Sequence, residues 1–210
     1  MIIDNFDLIK EFIKNSCIEQ CVDFDKDIDS YYHIQVFTRN KDFNEKGHRN
    51  DFSHNYYIFK IKDIDKYKKN IITLCHTFNA RAYFGIRRKS VKRVLLGCNL
   101  EIAKSLANTS NIKPWKMVES VSLSDSSRED KKWVIDIDTK DISYITYIKN
   151  TIKELGGKCY YQVPTPNGEH IICTPFRFQE YIEKLKLDNQ PFSNVNKCYE
   201  TLLYSNVPEN

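Results

Sequence analysis

Residues 133–141, WVIDIDTKD, form a short apolar run that ends in two carboxylates, Asp136 and Asp138. Side chains two positions apart in a strand point to the same face, so both carboxylates should project together while the isoleucines face the other way. Two carboxylates this close raise each other's pKa unless a cation lies between them. Because divalent cations bind oxygen ligands, the pattern predicts a strand that carries a metal site.

A turn that contains glycine delivers a histidine, His170, 32 residues after Asp138. The turn belongs to residues 163–176, VPTPNGEHIICTPF, where the prolines, the asparagine and Gly168 favour a tight turn with positive φ. Gly168 has no side chain and leaves backbone room beside a bulky anionic ligand. Sequential strands are usually neighbours in a sheet, so we expect His170 to lie near both carboxylates and to donate to a phosphate oxygen.

The length of 210 residues indicates one domain, or one domain with an appendage. No apolar run approaches the ~20 residues of a membrane span, so we expect no membrane partner. The first residues, MIIDNFDLIKEF, carry early acids and no basic region, which argues against a secretory signal and favours the cytoplasm. The net charge of +4 is a mild bias that does not by itself indicate nucleic acid.

Seven cysteines are scattered without a disulfide framework, which is typical of reduced thiols in a cytosol. A zinc site is an alternative, although the chain has no second close Cys/His pair with a recognised finger spacing. Buried core thiols are the simpler interpretation. The residues that a zinc site would use are Cys17, Cys21, His33 and either Cys75 or His76.

Apolar spacing predicts an α+β protein in which helices flank a mixed or antiparallel sheet. The predicted helices are 7–21, 63–78, 90–107, 141–155 and 178–186, with Asp63, Ser90 and Asp141 as N-caps and a glycine pair ending the fourth. The predicted strands are 31–38, 56–61, 80–86, 132–138, 158–163, 169–174 and, at a sheet edge, 201–204. Residues 40–55 are interpreted as a long loop.

A polar, serine-rich stretch divides the chain into unequal parts. Residues 1–107 are predicted to form a smaller N-terminal αβ half, and 108–131 a linker or mobile loop. Residues 132–210 then hold both motifs and form the predicted site.

The densest basic run surrounds the junction between a strand and the helix that Ser90 begins. Arginine forks suit phosphates, and amides at a helix N-terminus favour anions, so the run is a candidate contact for nucleic acid or a triphosphate. A solvated helix face is the competing interpretation. The chain has no GxxxxGK[ST] pattern, which excludes a P-loop. The run consists of Arg81, Arg87, Arg88, Lys89, Lys92 and Arg93.

The two motifs together resemble the archaeo-eukaryotic primase superfamily, the catalytic core of primase-polymerases. The hDhD strand of that family is similar to 134–138, and its small-residue-x-His motif is similar to 168–170. The TPNGEHIICTPF run looks like the phage and plasmid type, and small phage-encoded proteins share the pattern. The resemblance covers about residues 130–178, and the first half shows no diagnostic motif.

This resemblance implies nucleotidyl transfer on nucleic acid with Mg²⁺ or Mn²⁺, in a phage-like replication context in the host cytoplasm. Asp136 and Asp138 would bind two divalent metals, and His170 would contact the phosphates of a nucleoside triphosphate. The family's third acid has no clear equivalent here, and Asp188 is the nearest candidate. Replication proteins would be further partners.

Two other functions fit the same residues. A protein of this fold without a third acid would bind nucleotides or nucleic acid without turnover. A metal-dependent nuclease would use the same carboxylates for hydrolysis.

Overall fold

Two antiparallel sheets form the framework of the chain in a computed structural model. The structure describes residues 2–39, 52–108, 117–118, 120–122, 131–196 and 200–206. It confirms the α+β class with antiparallel sheets and flanking helices. None of the helices within these ranges is long and apolar enough to cross a membrane.

The first sheet has the strand order β1–β10–β4–β2–β3, and a short strand β5 also pairs with β2. Its strands are β1 (Ile3–Asp4), β2 (Ser30–Phe37), β3 (Ser53–Ile58), β4 (Arg81–Gly85), β5 (Lys89–Ser90) and β10 (Glu200–Ser205). Helices α1 (Phe6–Glu19) and α2 (Ile61–Phe78) pack on one face, and α3 (Val91–Ala107) packs on the other. Adjacent Tyr31 and Tyr32 show the alternation, because Tyr32 joins the core under α1 and α2 while Tyr31 packs against α3.

The second sheet is a β-α-β-β-α-β unit with the order β7–β8–β6–β9. Its elements are β6 (Trp133–Ile137), α4 (Ile142–Glu154), β7 (Cys159–Pro164), β8 (Glu169–Cys173), α5 (Phe178–Leu187) and β9 (Asn194–Asn196). Both helices cover one face, where Ile135, Ile137 and Ile171 are buried. This is the ferredoxin-like arrangement of two split β-α-β units.

The opposite face of the second sheet is directed toward the first sheet. Val134, Val163 and Ile172 belong to the same buried cluster as α1 and the first sheet. Tyr161 of β7 also packs edge-on against Phe12 of α1, with ring centroids 5.4 Å apart. The two sheets therefore share one hydrophobic core.

Several helix ends follow the predicted local chemistry. The Ser90 hydroxyl accepts a hydrogen bond from the backbone N–H of Arg93 at 3.1 Å, and Asp141 accepts one from Ser143 at 2.9 Å. Gly156 has a φ of 90°, the left-handed region that a glycine adopts after a helix. Helix α2 begins at Ile61 rather than at Asp63, whose carboxylate instead accepts from the N–H of Lys60 at 2.8 Å.

The chain path differs from the predicted organisation at its end. Strand β10 lies between β1 and β4 of the first sheet, so it is neither an edge strand nor part of the sheet formed by the rest of 132–210. Strand β3 begins at Ser53, inside the predicted loop 40–55, and the short strands β1, β5 and β9 were not predicted. Most of the predicted linker 108–131, and residues 40–51 of the loop, lie outside the described residues.

Candidate functional site

Asp136 and His170 lie directly opposite each other on neighbouring antiparallel strands β6 and β8. Directly paired residues share a face, and this is the face toward the first sheet. His170 Nε2 is 3.3 Å from Asp136 Oδ1. The structure therefore brings together one carboxylate and the histidine of the two sequence motifs.

The second nitrogen of the imidazole contacts the first sheet. His170 Nδ1 lies 3.0 Å from the Thr201 hydroxyl oxygen on β10. His170 is 8% exposed and Thr201 is completely buried. With both ring nitrogens engaged, the imidazole orients Asp136 and holds the two sheets together. A hydroxyl with no exposed surface cannot act as a nucleophile toward a substrate, so the Asp136–His170–Thr201 chain is not a hydrolase triad.

The pKa of the Asp136 carboxyl lies below its ordinary value, which favours the charged form. The hydrogen bond with His170 lowers the pKa of its carboxyl, desolvation opposes that effect, and the positive charges of His170 and Arg39 lower the pKa further. About a third of the Asp136 side chain is exposed. Arg39 is held by its hydrogen bond to the Tyr83 hydroxyl, with Nη1 as donor at 3.1 Å. The site thus combines an accessible carboxylate with a nearby guanidinium.

The turn before His170 packs against the end of β6. A Cβ on Gly168 would lie 1.9 Å from the Ile137 carbonyl oxygen and 2.6 Å from the Thr139 nitrogen, so only glycine fits. Thr165 closes the turn, because its N–H donates to the Gly168 carbonyl at 3.0 Å. The space beside Gly168 is therefore occupied by protein backbone. It does not leave the room for an anionic ligand that the sequence predicted.

Asp138 follows the end of β6 and is exposed. The two carboxylates are therefore both accessible from the same strand end, one held by His170 and one in a solvent-facing segment.

Asn5 reinforces this region from the N-terminus. Its side-chain amide donates to the carbonyls of Pro164 at 3.0 Å and Leu202 at 2.9 Å, which joins β7 to β10.

Asp188 lies away from the other two acids. It is the C-cap of α5, and its carboxylate accepts a hydrogen bond from the Tyr147 hydroxyl of α4 at 2.6 Å. Both helices cover the face of the second sheet opposite Asp136. The predicted role of Asp188 as a third metal ligand is therefore not supported by its position.

The fit of a divalent cation rests on Asp136 and Asp138 alone. Among the described residues, no group of three His, Cys, Asp or Glu side chains could hold a metal ion. Mg²⁺ keeps several waters and is commonly bound by one or two carboxylates together with substrate phosphates. Two aspartates do not supply enough ligands for two cations, and a single cation here would need waters and substrate phosphates to complete its ligands.

The centre of the basic run is buried. Arg87, Arg88 and Lys89 are all less than 10% exposed, whereas Arg81 is half-buried and Lys92 and Arg93 are exposed. The N-terminus of α3 already has an anion, because the Asp29 carboxylate accepts from the N–H of Lys92 at 2.8 Å and from the Ser90 hydroxyl. Arg87, Arg88 and Lys89 therefore do not form the expected open surface for phosphates at this junction.

The cysteines of the alternative zinc site differ in their exposure to solvent. Cys17 and Cys75 are buried, whereas Cys21 is exposed. Burial raises the pKa of Cys75 to about 12, so it stays a thiol at neutral pH. His33 Nε2 hydrogen-bonds the Asn55 side chain at 2.9 Å.

Three residues near the site could not be linked to it from the sequence. Thr201 and Arg39 approach only through the packing of one sheet against the other. Glu200 precedes Thr201 on β10, and its burial raises the pKa of the carboxyl to about 7, against an opposing effect of Lys89. Glu200 follows His170 in the sequence, but no apolar run before it marks a strand end.

No protein-family model, curated protein or solved structure matches this chain.

Proposed function

We propose that the chain is a small primase-polymerase-like protein that carries out metal-dependent nucleotidyl transfer at Asp136 and Asp138. The observation that supports this most directly is the Asp136–His170 pair across β6 and β8 of a β-α-β-β-α-β sheet. A fixed, ionised carboxylate beside an exposed one suits a cation that carries a nucleoside triphosphate.

The roles of the residues follow from their exposure. Asp136 and Asp138 would hold one Mg²⁺ or Mn²⁺, which neutralises phosphate charge and favours attack by a hydroxyl. His170 is a positioning residue, because its two nitrogens face Asp136 and Thr201 rather than solvent. Arg39 supplies positive charge near Asp136 for the phosphates. The nucleic acid and any replication partners would approach from this exposed end of β6.

The test is incorporation of labelled nucleotide with Mg²⁺ or Mn²⁺, on primed and unprimed single-stranded templates. Asp136→Asn and Asp138→Asn keep the side-chain shape but remove the charge that binds the cation. We expect each to lower incorporation by about 100-fold, which corresponds to about 2.7 kcal/mol of transition-state stabilisation.

Asp23→Asn is the matched control, since Asp23 is an exposed aspartate that pairs only with Lys26 among the described contacts. Its incorporation rate should equal that of the parent. Equal rates in the parent and both site variants, with all proteins folded by circular dichroism, would refute the assignment.

A second function, binding without turnover, is favoured by the lack of a third metal ligand among the described residues. Calorimetry with nucleoside triphosphates and with single-stranded DNA, with and without Mn²⁺, separates the two. Saturable binding that needs Asp136 but gives no incorporation would establish this rival. Its affinity for DNA should fall steeply with salt. Cleavage of a labelled oligonucleotide in the same metal buffers would instead identify a nuclease.

A further inference from the structure

Helix α3 has one side that is already filled by its own chain. Val94 and Cys98 are buried with Tyr31 and Val121. Gly97 lies so close to Val121 that an added Cβ would be 2.6 Å from its Cγ1. This inner side therefore fixes α3 on the first sheet.

The outer side of α3 is apolar and exposed. Five large side chains are 41–68% exposed: Leu95, Leu96, Leu100, Ile102 and Leu106. With about 180 Å² for a fully exposed leucine or isoleucine, these fractions amount to roughly 500 Å² on one helix. The largest apolar patch on a typical monomer is of about this size, and such patches are often functional.

The spacing within the outer side is that of a helix-pairing seam. Leu95, Asn99, Ile102 and Leu106 are separated by four, three and four residues, which is the alternation of a and d positions in a heptad. Asn99 is the single polar residue within this stripe. One asparagine in an apolar seam specifies the register of helix pairs and lowers their stability.

We propose that this face binds a second copy of the chain, with α3 against α3 about a two-fold axis. A two-fold axis brings the same patch of both copies together. Two such patches would together bury roughly 1,000 Å², which is the lower limit for a specific interface. Residues around the patches would add to this buried area. The proposal does not depend on the proposed function, because α3 contains neither site aspartate.

The experiment is sedimentation equilibrium of the full chain at about 50 µM, where a dimer is expected. Leu95→Glu combined with Leu106→Glu places charges in the seam and should give a monomer that keeps the circular dichroism spectrum of the parent, because both side chains are exposed in one copy. Ile142→Glu combined with Leu187→Glu changes two apolar residues elsewhere that are even more exposed, and it should leave the dimer intact.

Asn99→Leu gives an independent readout. Removing the polar side chain from the seam should tighten the dimer at least tenfold. A monomeric parent at 100 µM, open-ended association, or a dimer that survives the double glutamate substitution would each overturn the proposal. A monomeric parent would leave the apolar face to a different protein partner.

Discussion

Glu200 is expected to make the protein less stable as the pH rises toward neutrality. Its carboxyl is mostly removed from water at the start of β10, and burial raises its pKa from the ordinary value of 4.5 to about 7. The attraction of Lys89 reduces this shift but does not cancel it. Between these two pKa values the folded chain keeps a proton that the unfolded chain has lost.

The sign and size follow from this difference in proton binding. Where the folded state binds more protons, stability falls with rising pH, so the loss starts near pH 4.5 and is complete above about pH 7. The rise of this pKa from 4.5 to about 7 corresponds to about 3 kcal/mol. Glu200→Gln removes the titration and should therefore stabilise the protein by about 3 kcal/mol at pH 8 and by little at pH 4.5.

The assay is urea unfolding of parent and variant at pH 4.5, 6 and 8, with the difference in unfolding free energy as the readout. Asp136 and the other acids titrate equally in both proteins, so their contributions cancel in the difference. Glu183→Gln, on the exposed side of α5, is the matched control for exchanging a glutamate for a glutamine. A Glu200→Gln difference that stays constant from pH 4.5 to 8 would refute the reasoning.

Two further changes probe the site itself. His170→Ala should raise the pKa of Asp136, because the hydrogen bond from His170 is the largest cause of its lowering; a ¹³C NMR titration of the carboxyl carbon measures this, and an unchanged pKa would contradict it. Gly168→Ala should destabilise the fold by about 1–3 kcal/mol through the clash with the Ile137 carbonyl. Gly85→Ala is its control in urea unfolding, since its added Cβ meets backbone only at 3.4 Å, and equal losses would contradict the packing argument.

The elements of the fold were largely predictable because their signals are local. Short apolar runs within the predicted strands 132–138 and 169–174 identified β6 and β8, and the Ser90 hydroxyl marked the start of α3 where the structure has it. The prediction that the histidine strand neighbours the aspartate strand is confirmed by their register. That register also decides the face, since a slip of one residue would have turned His170 away from Asp136.

The predicted site residues that the structure places elsewhere are held there by contacts between distant segments. The basic run had the composition of a phosphate surface, but Asp29 lies 63 residues before Lys92 in the chain and already occupies the helix end. Asp188 follows His170 in sequence as a third acid should, yet α5 places it beside Tyr147. Neither Asp29 nor Tyr147 lies in a local sequence pattern that would reveal its contact with Lys92 or with Asp188.

The position of β10 explains why the site could not be assembled from residues 132–210 alone. His170 needs Thr201 to hold its second nitrogen, and Thr201 pairs with Phe84 in the first sheet, inside the core that α1 also covers. Asn5 adds a second connection between the sheets, because its side chain donates hydrogen bonds to β7 and to β10. The orientation of Asp136 is thus set by residues near both ends of the chain, and the two sheets must fold together before the carboxylate and the imidazole acquire their geometry.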